Sequence, residues 1–150
     1  VLRQWEQIKR AEKGEAASIM DGLPASLPAL LRAQNAQKKA ARVGFDWGSS
    51  AGVFEKLEEE FAELREAVGQ GDSRRVEEEF GDVLFTAVNL ARHLHVDAET
   101  SLAAATTKFM ARFREVERRI SESGRRIEAC TPEELEGCWE AVKSAEANGQ

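Results

Sequence analysis

The sequence predicts an all-α protein of the four-helix-bundle type, with antiparallel helices and a functional site between them. Apolar residues recur three or four apart in several long stretches, the spacing of amphipathic helices. Only three prolines interrupt 150 residues, which leaves room for those helices to run. Strand signals are scarce, with no tyrosine, no useful alternating run of valine, isoleucine and threonine, and no Asn-Gly or Asp-Gly hairpin between two such runs.

The elements follow in order. Residues 1 to 13, with Trp5, Ile8 and mixed charges, predict a short helix, and a connecting segment follows to Pro28. These residues up to 25 read as one region, and residues 26–150 as a single domain long enough to bury a core. Ser26 is the expected cap of the next helix, whose apolar face begins at Leu27, Leu30 and Leu31 and reaches about Val43. A loop, Gly44-Phe45-Asp46-Trp47-Gly48, precedes a helix striped by Phe54, Leu57, Phe61, Leu64 and Val68. Gly69-Gln70-Gly71-Asp72-Ser73 then offers glycines to end that helix and Asp or Ser to cap the next. So short a link makes the two helices antiparallel neighbours. The second carries Val76, Phe80, Val83, Ala87, Ala91 and Leu94. A third long helix over residues 98 to 121 bears Leu102, Ala105, Phe109, Phe113, Val116 and Ile120. Thr131-Pro132-Glu133-Glu134 is a capping box with proline at the first helical position, and it opens a last helix that carries Trp139.

The acidic residues carry the chemistry. Glu58 to Glu60 with Glu63, and Glu77 to Glu79 with Asp82, repeat one pattern on two neighbouring helices. At about 100° per residue, Glu60 lies roughly 70° from the middle of its stripe and Glu63 about 60° further round. Glu79 and Asp82 hold nearly the same offset on their own helix, so antiparallel packing of the apolar faces brings all four carboxylates together. Half-buried carboxylates at close range repel one another unless protons or cations intervene. Oxygen-only ligands suit a hard ion, Mg²⁺ or Mn²⁺, rather than zinc. Glu58, Glu59, Glu77 and Glu78, taken singly, read as solvated helix faces. Gly81, mid-helix at a cost of about 1 kcal/mol against alanine, is expected to permit a close backbone approach.

Cations stand beside the acids. Lys56, Arg75, Lys108 and Arg112 lie at motif edges, where they serve either as helix ion pairs or as partners for the charge of a triphosphate. No P-loop, glycine-rich nucleotide fingerprint or Ser/His/Asp order appears. His93 and His95 read as surface or cap residues before ligands. A net charge of −6 argues against a nucleic-acid surface, and Arg118, Arg119, Arg125 and Arg126 read as local helix and loop charges. No apolar run approaches the roughly 20 residues that cross a bilayer, and the N-terminus resembles no signal peptide. A cytoplasmic location is the expectation, with Cys130 and Cys138 as free thiols that match no zinc spacing.

The chain resembles the MazG nucleoside triphosphate pyrophosphohydrolases of the all-α NTP pyrophosphatase superfamily. Glu59-Glu60-x-x-Glu63 followed by Glu79-x-x-Asp82 is similar to their metal-binding signature. The likeness extends through Leu27-Pro28-Ala29-Leu30, Val43-Gly44-Phe45-Asp46-Trp47, Gly81-Asp82-Val83-Leu84-Phe85, Val88 to Leu94, and Lys108-Phe109-x-x-Arg112 to Glu117. It covers most of the chain and is closest in kind to the C-terminal catalytic half of a tandem protein. Val1 in place of an initiator methionine fits that expectation of a fragment.

What the resemblance implies is hydrolysis of nucleoside and deoxynucleoside triphosphates to monophosphate and pyrophosphate with Mg²⁺, in a homodimer whose helices complete each site. By motif position, Glu60, Glu63, Glu79 and Asp82 would hold the metal, and Lys56, Glu59, Arg75, Lys108, Arg112 and Trp139 would contact nucleotide. One of Glu59, Glu60 or Glu63 would take the proton of the attacking water. Trp139 reads either as a base-stacking residue or as packing of an amphipathic helix. Arg75 stands where the family often has lysine, and His95 where it often has glycine. A dUTP- or dCTP-specific pyrophosphatase, and a non-catalytic helical binding module, remain the alternatives.

Overall fold

The structure, a computed structural model, describes residues 18–149 together with Gln4, Trp5, Gln7, Ile8 and Ala11. Those five isolated positions are helical, and the remainder of the helix expected over residues 1 to 13 lies outside the described residues. From Ala29 onward five α-helices and one 3₁₀ turn account for the regular structure, with no strand among the described residues. The all-α expectation is met. Packing divides the chain into two compact units, Val1–Glu99 and Thr100–Gln150.

In the first unit, α1 (Ala29–Arg42), α2 (Ser50–Gln70) and α3 (Ser73–His93) pack with α3 against both of the others. Ser26 is not the cap of α1. Pro28 holds that position with extended backbone, φ −50° and ψ 142°, and no side-chain cap bond. A proline disfavours helical backbone in the residue before it, so Leu27 cannot continue a helix from Ser26. The capping role passes to a distant group, Glu99, whose Oε2 accepts from the Leu31 amide at 3.3 Å. The buried points of α1 are also polar, Gln34 and Gln37 rather than the leucines. Gln34 donates from Nε2 to Val96 O at 2.9 Å and accepts at Oε1 from the Ala98 amide at 2.9 Å. It therefore ties the segment that follows α3 to α1.

The α2–α3 turn forms as its residues dictate. Helix α2 runs through Gly69 to Gln70, and Gly71 alone takes the left-handed φ of 70° that ends it. The Asp72 side chain then accepts from the Arg75 amide and caps α3.

The apolar stripes do not meet as expected. The buried line of α2 is Val53, Glu60 and Ala67, while Phe54, Phe61 and Val68 stay exposed. On α3, Val83, Thr86, Val88 and Asn89 are buried and Phe80 and Leu84 are exposed. Each helix is rotated so that small side chains and a carboxylate fill the narrow seam, and the phenylalanines project outside it. Gly81, expected at a close approach, faces open space: a Cβ there would meet nothing within 4 Å.

Helix α4 (Ala98–Glu122) starts at the end of the first unit and runs on in the second, where a 3₁₀ turn (Ile127–Ala129) and α5 (Pro132–Asn148) follow it. The core of the second unit is Val116, Ile120 and Val142, covered by Ile127, Cys130, Leu135, Cys138 and Trp139. The predicted capping box is present in both halves: Glu134 N donates to Thr131 Oγ1 at 3.3 Å, and Thr131 N to Glu134 Oε2 at 2.8 Å. Both cysteines are free and half-buried.

Candidate metal centre

Glu60 points into the α2–α3 seam and is only 5% exposed. On the facing helix Glu79 and Asp82, one turn apart, turn toward it. Ligand oxygens of these three residues all lie within 4.8 Å of one another. Glu63 stands outside that trio yet feels it. Burial first, then the charges of Glu79 and Glu60, push its carboxyl above the usual range.

A cation flanks the cluster from each helix. Lys56 Nζ bonds Glu60 Oε1 at 2.8 Å and Glu59 Oε1 at 3.1 Å. Glu60 first, then Glu59, hold the ammonium above its ordinary value. Arg75 Nε reaches Glu79 Oε1 at 3.3 Å, and the same guanidinium contacts Gln70 at 2.8 Å and Glu66 at 3.5 Å. Two cations for three clustered acids, with Glu63 and Glu59 beside them, leave the site acidic. Oxygen donors in that number fit a hard divalent ion.

The other expected nucleotide contacts belong to the second unit. Lys108 is exposed. Arg112 is paired with Glu146, Nη2 to Oε2 at 2.8 Å. Trp139 packs its ring on Phe109 at 5.3 Å, and Phe109 stacks on Phe113 at 6.0 Å. Together with Val116, Leu135 and Glu136 these rings line an apolar pocket of about 220 Å³.

A second polar cluster in the first unit escaped sequence reasoning. Asp46 accepts from both terminal nitrogens of Arg92 and lies 2.9 Å from His93 Nε2. Arg92 also donates to Asn89 Oδ1 from Nη2 at 2.7 Å and from Nε at 3.1 Å. The network pins the Gly44–Gly48 loop to the C-terminal end of α3. Hydrogen bonds from Arg92 are the main cause that draws Asp46 down to about 2. Its only signal in the sequence was a lone acid inside a glycine-bounded loop.

Carboxylates from two antiparallel helices of an all-α protein, flanked by lysine and arginine, define the class of helical proteins built to hold a divalent cation beside an anionic ligand. Residues 49–117 match the MazG nucleotide pyrophosphohydrolase domain, so the chain carries a domain of the MazG family. It is 46% identical to nucleoside triphosphate pyrophosphohydrolase of Escherichia coli K12, over 97% of this chain and 57% of the relative. To the nucleoside triphosphate pyrophosphohydrolase/pyrophosphatase MazG of Thermotoga maritima it is 46% identical, over 96% of this chain and 56% of the relative. To YabN of Bacillus subtilis, named an uncharacterized protein, it is 38% identical over 97% of this chain and 30% of the relative. The chain thus spans little more than half the length of the first two. Among the described residues no helix is long and apolar enough to cross a membrane.

Proposed function

We propose that the chain is a nucleoside triphosphate pyrophosphohydrolase that converts nucleoside and deoxynucleoside triphosphates and water to the monophosphate and pyrophosphate, and so clears the cytoplasmic nucleotide pool. The observation that carries the reading is the convergence of Glu60, Glu79 and Asp82 within 4.8 Å, flanked by Lys56 and Arg75. With Glu63 they would hold Mg²⁺, for which Mn²⁺ would substitute. When bound, the cation offsets phosphate charge and polarises the phosphoryl oxygens.

The protein groups do the remaining work. Lys56 and Arg75, already aimed at the acidic cluster, pair with the oxygens of the triphosphate and stabilise the charge that develops on pyrophosphate. One carboxylate among Glu59, Glu60 and Glu63 orients the attacking water and accepts its proton. The anhydride bond between the α and β phosphates breaks as water's oxygen bonds to phosphorus, and pyrophosphate leaves. Lys108, Arg112 and Trp139 are assigned to the nucleotide in a homodimer, with residues 26–150 as the catalytic domain.

The test is pyrophosphate release from a panel of nucleoside and deoxynucleoside triphosphates with and without Mg²⁺, for the parent and for Glu60→Gln and Asp82→Asn. Release that requires Mg²⁺ and falls by at least about a hundredfold in both variants is expected, the size typical of losing a preorganised charged group. A folded, Mg²⁺-loaded parent that releases nothing would sink the reading.

A further inference from the structure

The C-terminal ends of α1 and α3 and the segment after α3 border a cavity of about 690 Å³, whose lining includes Lys38, Arg42, Arg92, His95 and Asp97. Its size lies in the range of small-molecule sites, roughly 300–1,000 Å³. Three permanent cations and an imidazole meet one carboxylate there, on a chain whose net charge is −6. The two helix ends do not account for that sign. Amides of Val43, Gly44 and Phe45 cover the Ala40 and Ala41 carbonyls of α1, and those of His95 and Val96 cover Arg92 and Ala91 of α3. Of the four basic residues only Arg42 and Arg92 stand in a last turn, where a cation serves the helix dipole. Lys38 lies before that turn and His95 beyond its helix.

His95 lines this cavity from a backbone of positive φ, 58°, a region uncommon for residues with a side chain. Strain of that kind gathers at ligand sites where the surroundings hold it in place. Here the holding contacts are plain. The His95 amide donates to Arg92 O at 3.1 Å and the Val96 amide to Ala91 O at 2.8 Å. Beyond them the buried Gln34 side chain takes Val96 O and the Ala98 amide, each at 2.9 Å. The groups around His95 differ in what they have left to offer. Arg92 is occupied by Asp46 and Asn89, and Arg42 and Asp97 are engaged as well. Lys38 Nζ and the His95 ring have no hydrogen bond or ion pair among the described residues, and both line the same cavity.

We propose that this cavity is a second ligand site, separate from the metal centre, for a small molecule that carries two or more oxyanion groups. Lys38 Nζ and the His95 ring bind the oxyanions directly, and Arg42 and Arg92 add their charge from either side. Because the cations come from two elements, α1 and the end of α3, a single small anion would meet only one of them. Asp82 precedes Arg92 by ten residues of α3, about 15 Å of helix rise, so an oxyanion at Lys38 and His95 does not touch the carboxylate trio. The inference stands apart from the triphosphate reading, since it is tested without Mg²⁺ and without turnover.

The experiment titrates the full chain in EDTA with pyrophosphate and, separately, with citrate, by calorimetry and by NMR of the histidine rings. Without a divalent cation, Glu60, Glu79 and Asp82 repel a polyanion, so binding then reports the cavity. The chain has two histidines, and His93 is already bonded to Asp46, so the ring signal of His95 should move further on saturation. At least one probe should bind with Kd of about 1 mM or tighter, and the tighter of the two shows whether phosphates or carboxylates suit the site. Lys38 is exposed, so Lys38→Glu should fold as the parent does and weaken binding by at least about tenfold, the effect of reversing one charge at the ligand. Glu60→Gln should leave the affinity unchanged. No saturation by either probe up to about 10 mM overturns the site. So does binding that leaves the His95 ring unmoved, that survives Lys38→Glu at the parent's affinity, or that Glu60→Gln alters in its place.

Discussion

Lys56 Nζ lies 2.8 Å from Glu60 Oε1, so the carboxylate that points into the α2–α3 seam draws its counter-charge from its own helix, one turn away. The pairing explains how an acid can be so deeply placed between two helices that also carry Glu79 and Asp82. Removing the lysine should expose the cost. Lys56→Met is expected to lower stability by about 2 kcal/mol without divalent cation, less than a fully buried pair would lose because the lysine is partly exposed. Added Mg²⁺ should restore much of that loss by neutralising the same acids. Thermal unfolding of parent and variant, each with and without Mg²⁺, makes the comparison, and equal losses in both conditions would separate Lys56 from the metal centre.

Asp46 anchors the loop that joins α1 to α2, and Arg92 is the first cause of its depressed value of about 2 against an ordinary 3.8. The linkage sign follows. A carboxyl depressed in the fold adds stability that is complete above the ordinary value and lost as pH falls through the depressed one. Asp46→Asn should therefore cost about 2 kcal/mol near neutral pH, with the difference from the parent shrinking between about pH 4 and pH 2. Urea titrations at several pH values read it directly. A constant difference across that range would mean that shape rather than charge holds the loop.

Much of this fold was legible in the sequence because helices announce themselves by period and by caps. The Thr131 box, the Gly71 stop and the Asp72 cap are local chemistry, and each forms where its residues say. The carboxylate cluster was legible in part for the same reason: pitch alone put Glu60, Glu63, Glu79 and Asp82 on facing edges, and Glu60, Glu79 and Asp82 converge while Glu63 stands outside the trio. What pitch cannot give is the rotation of a helix about its axis. The seam turned Val53, Glu60 and Ala67 inward and left Phe54 and Phe61 out, a choice made by how closely two backbones can approach and not by hydrophobicity. Long-range partners were equally hidden. Glu99 capping α1 and Arg92 gripping Asp46 join residues 68 and 46 positions apart, and no local rule reaches that far.

His95 is the one non-glycine residue of positive φ among the described residues, at 58°. It follows the end of α3, where its amide donates to Arg92 O at 3.1 Å, and a β-carbon there crowds the following backbone. His95→Gly is expected to stabilise the protein by about 0.5–1 kcal/mol, the relief of the left-handed conformation net of the added freedom of the unfolded chain. Chemical denaturation checks the sign. A loss of stability would show that the imidazole makes a contact worth more than the strain.

Thr131 and Glu134 satisfy each other's backbone amides at the start of α5, and Arg125 clasps Glu134 from outside at 2.8 Å. Thr131→Ala should cost about 1 kcal/mol, the usual worth of such a cap. Thr131→Ser should cost much less, because it keeps the hydroxyl. Comparing the two by thermal unfolding isolates the hydrogen bond from the methyl group, and equal losses would assign the effect to packing.

The homodimer proposed for the enzyme has a natural place to form. Phe80 is 53% exposed and Phe61 45%, and Phe54 and Leu84 share that condition on the same two helices. Apolar area of this kind on paired helices is what a second copy covers, and Gly81 lies among these residues with open space where a Cβ would project. Phe80→Asp places a charge among these exposed apolar residues and should weaken self-association by about thirtyfold or more, the effect of losing one hot-spot aromatic. Gly81→Leu should weaken it by steric exclusion while leaving the helix intact, since leucine is the better helix former. Sedimentation equilibrium of the parent and both variants decides: a parent that is monomeric at micromolar concentration, or variants that associate as tightly as the parent, would remove this face from the interface.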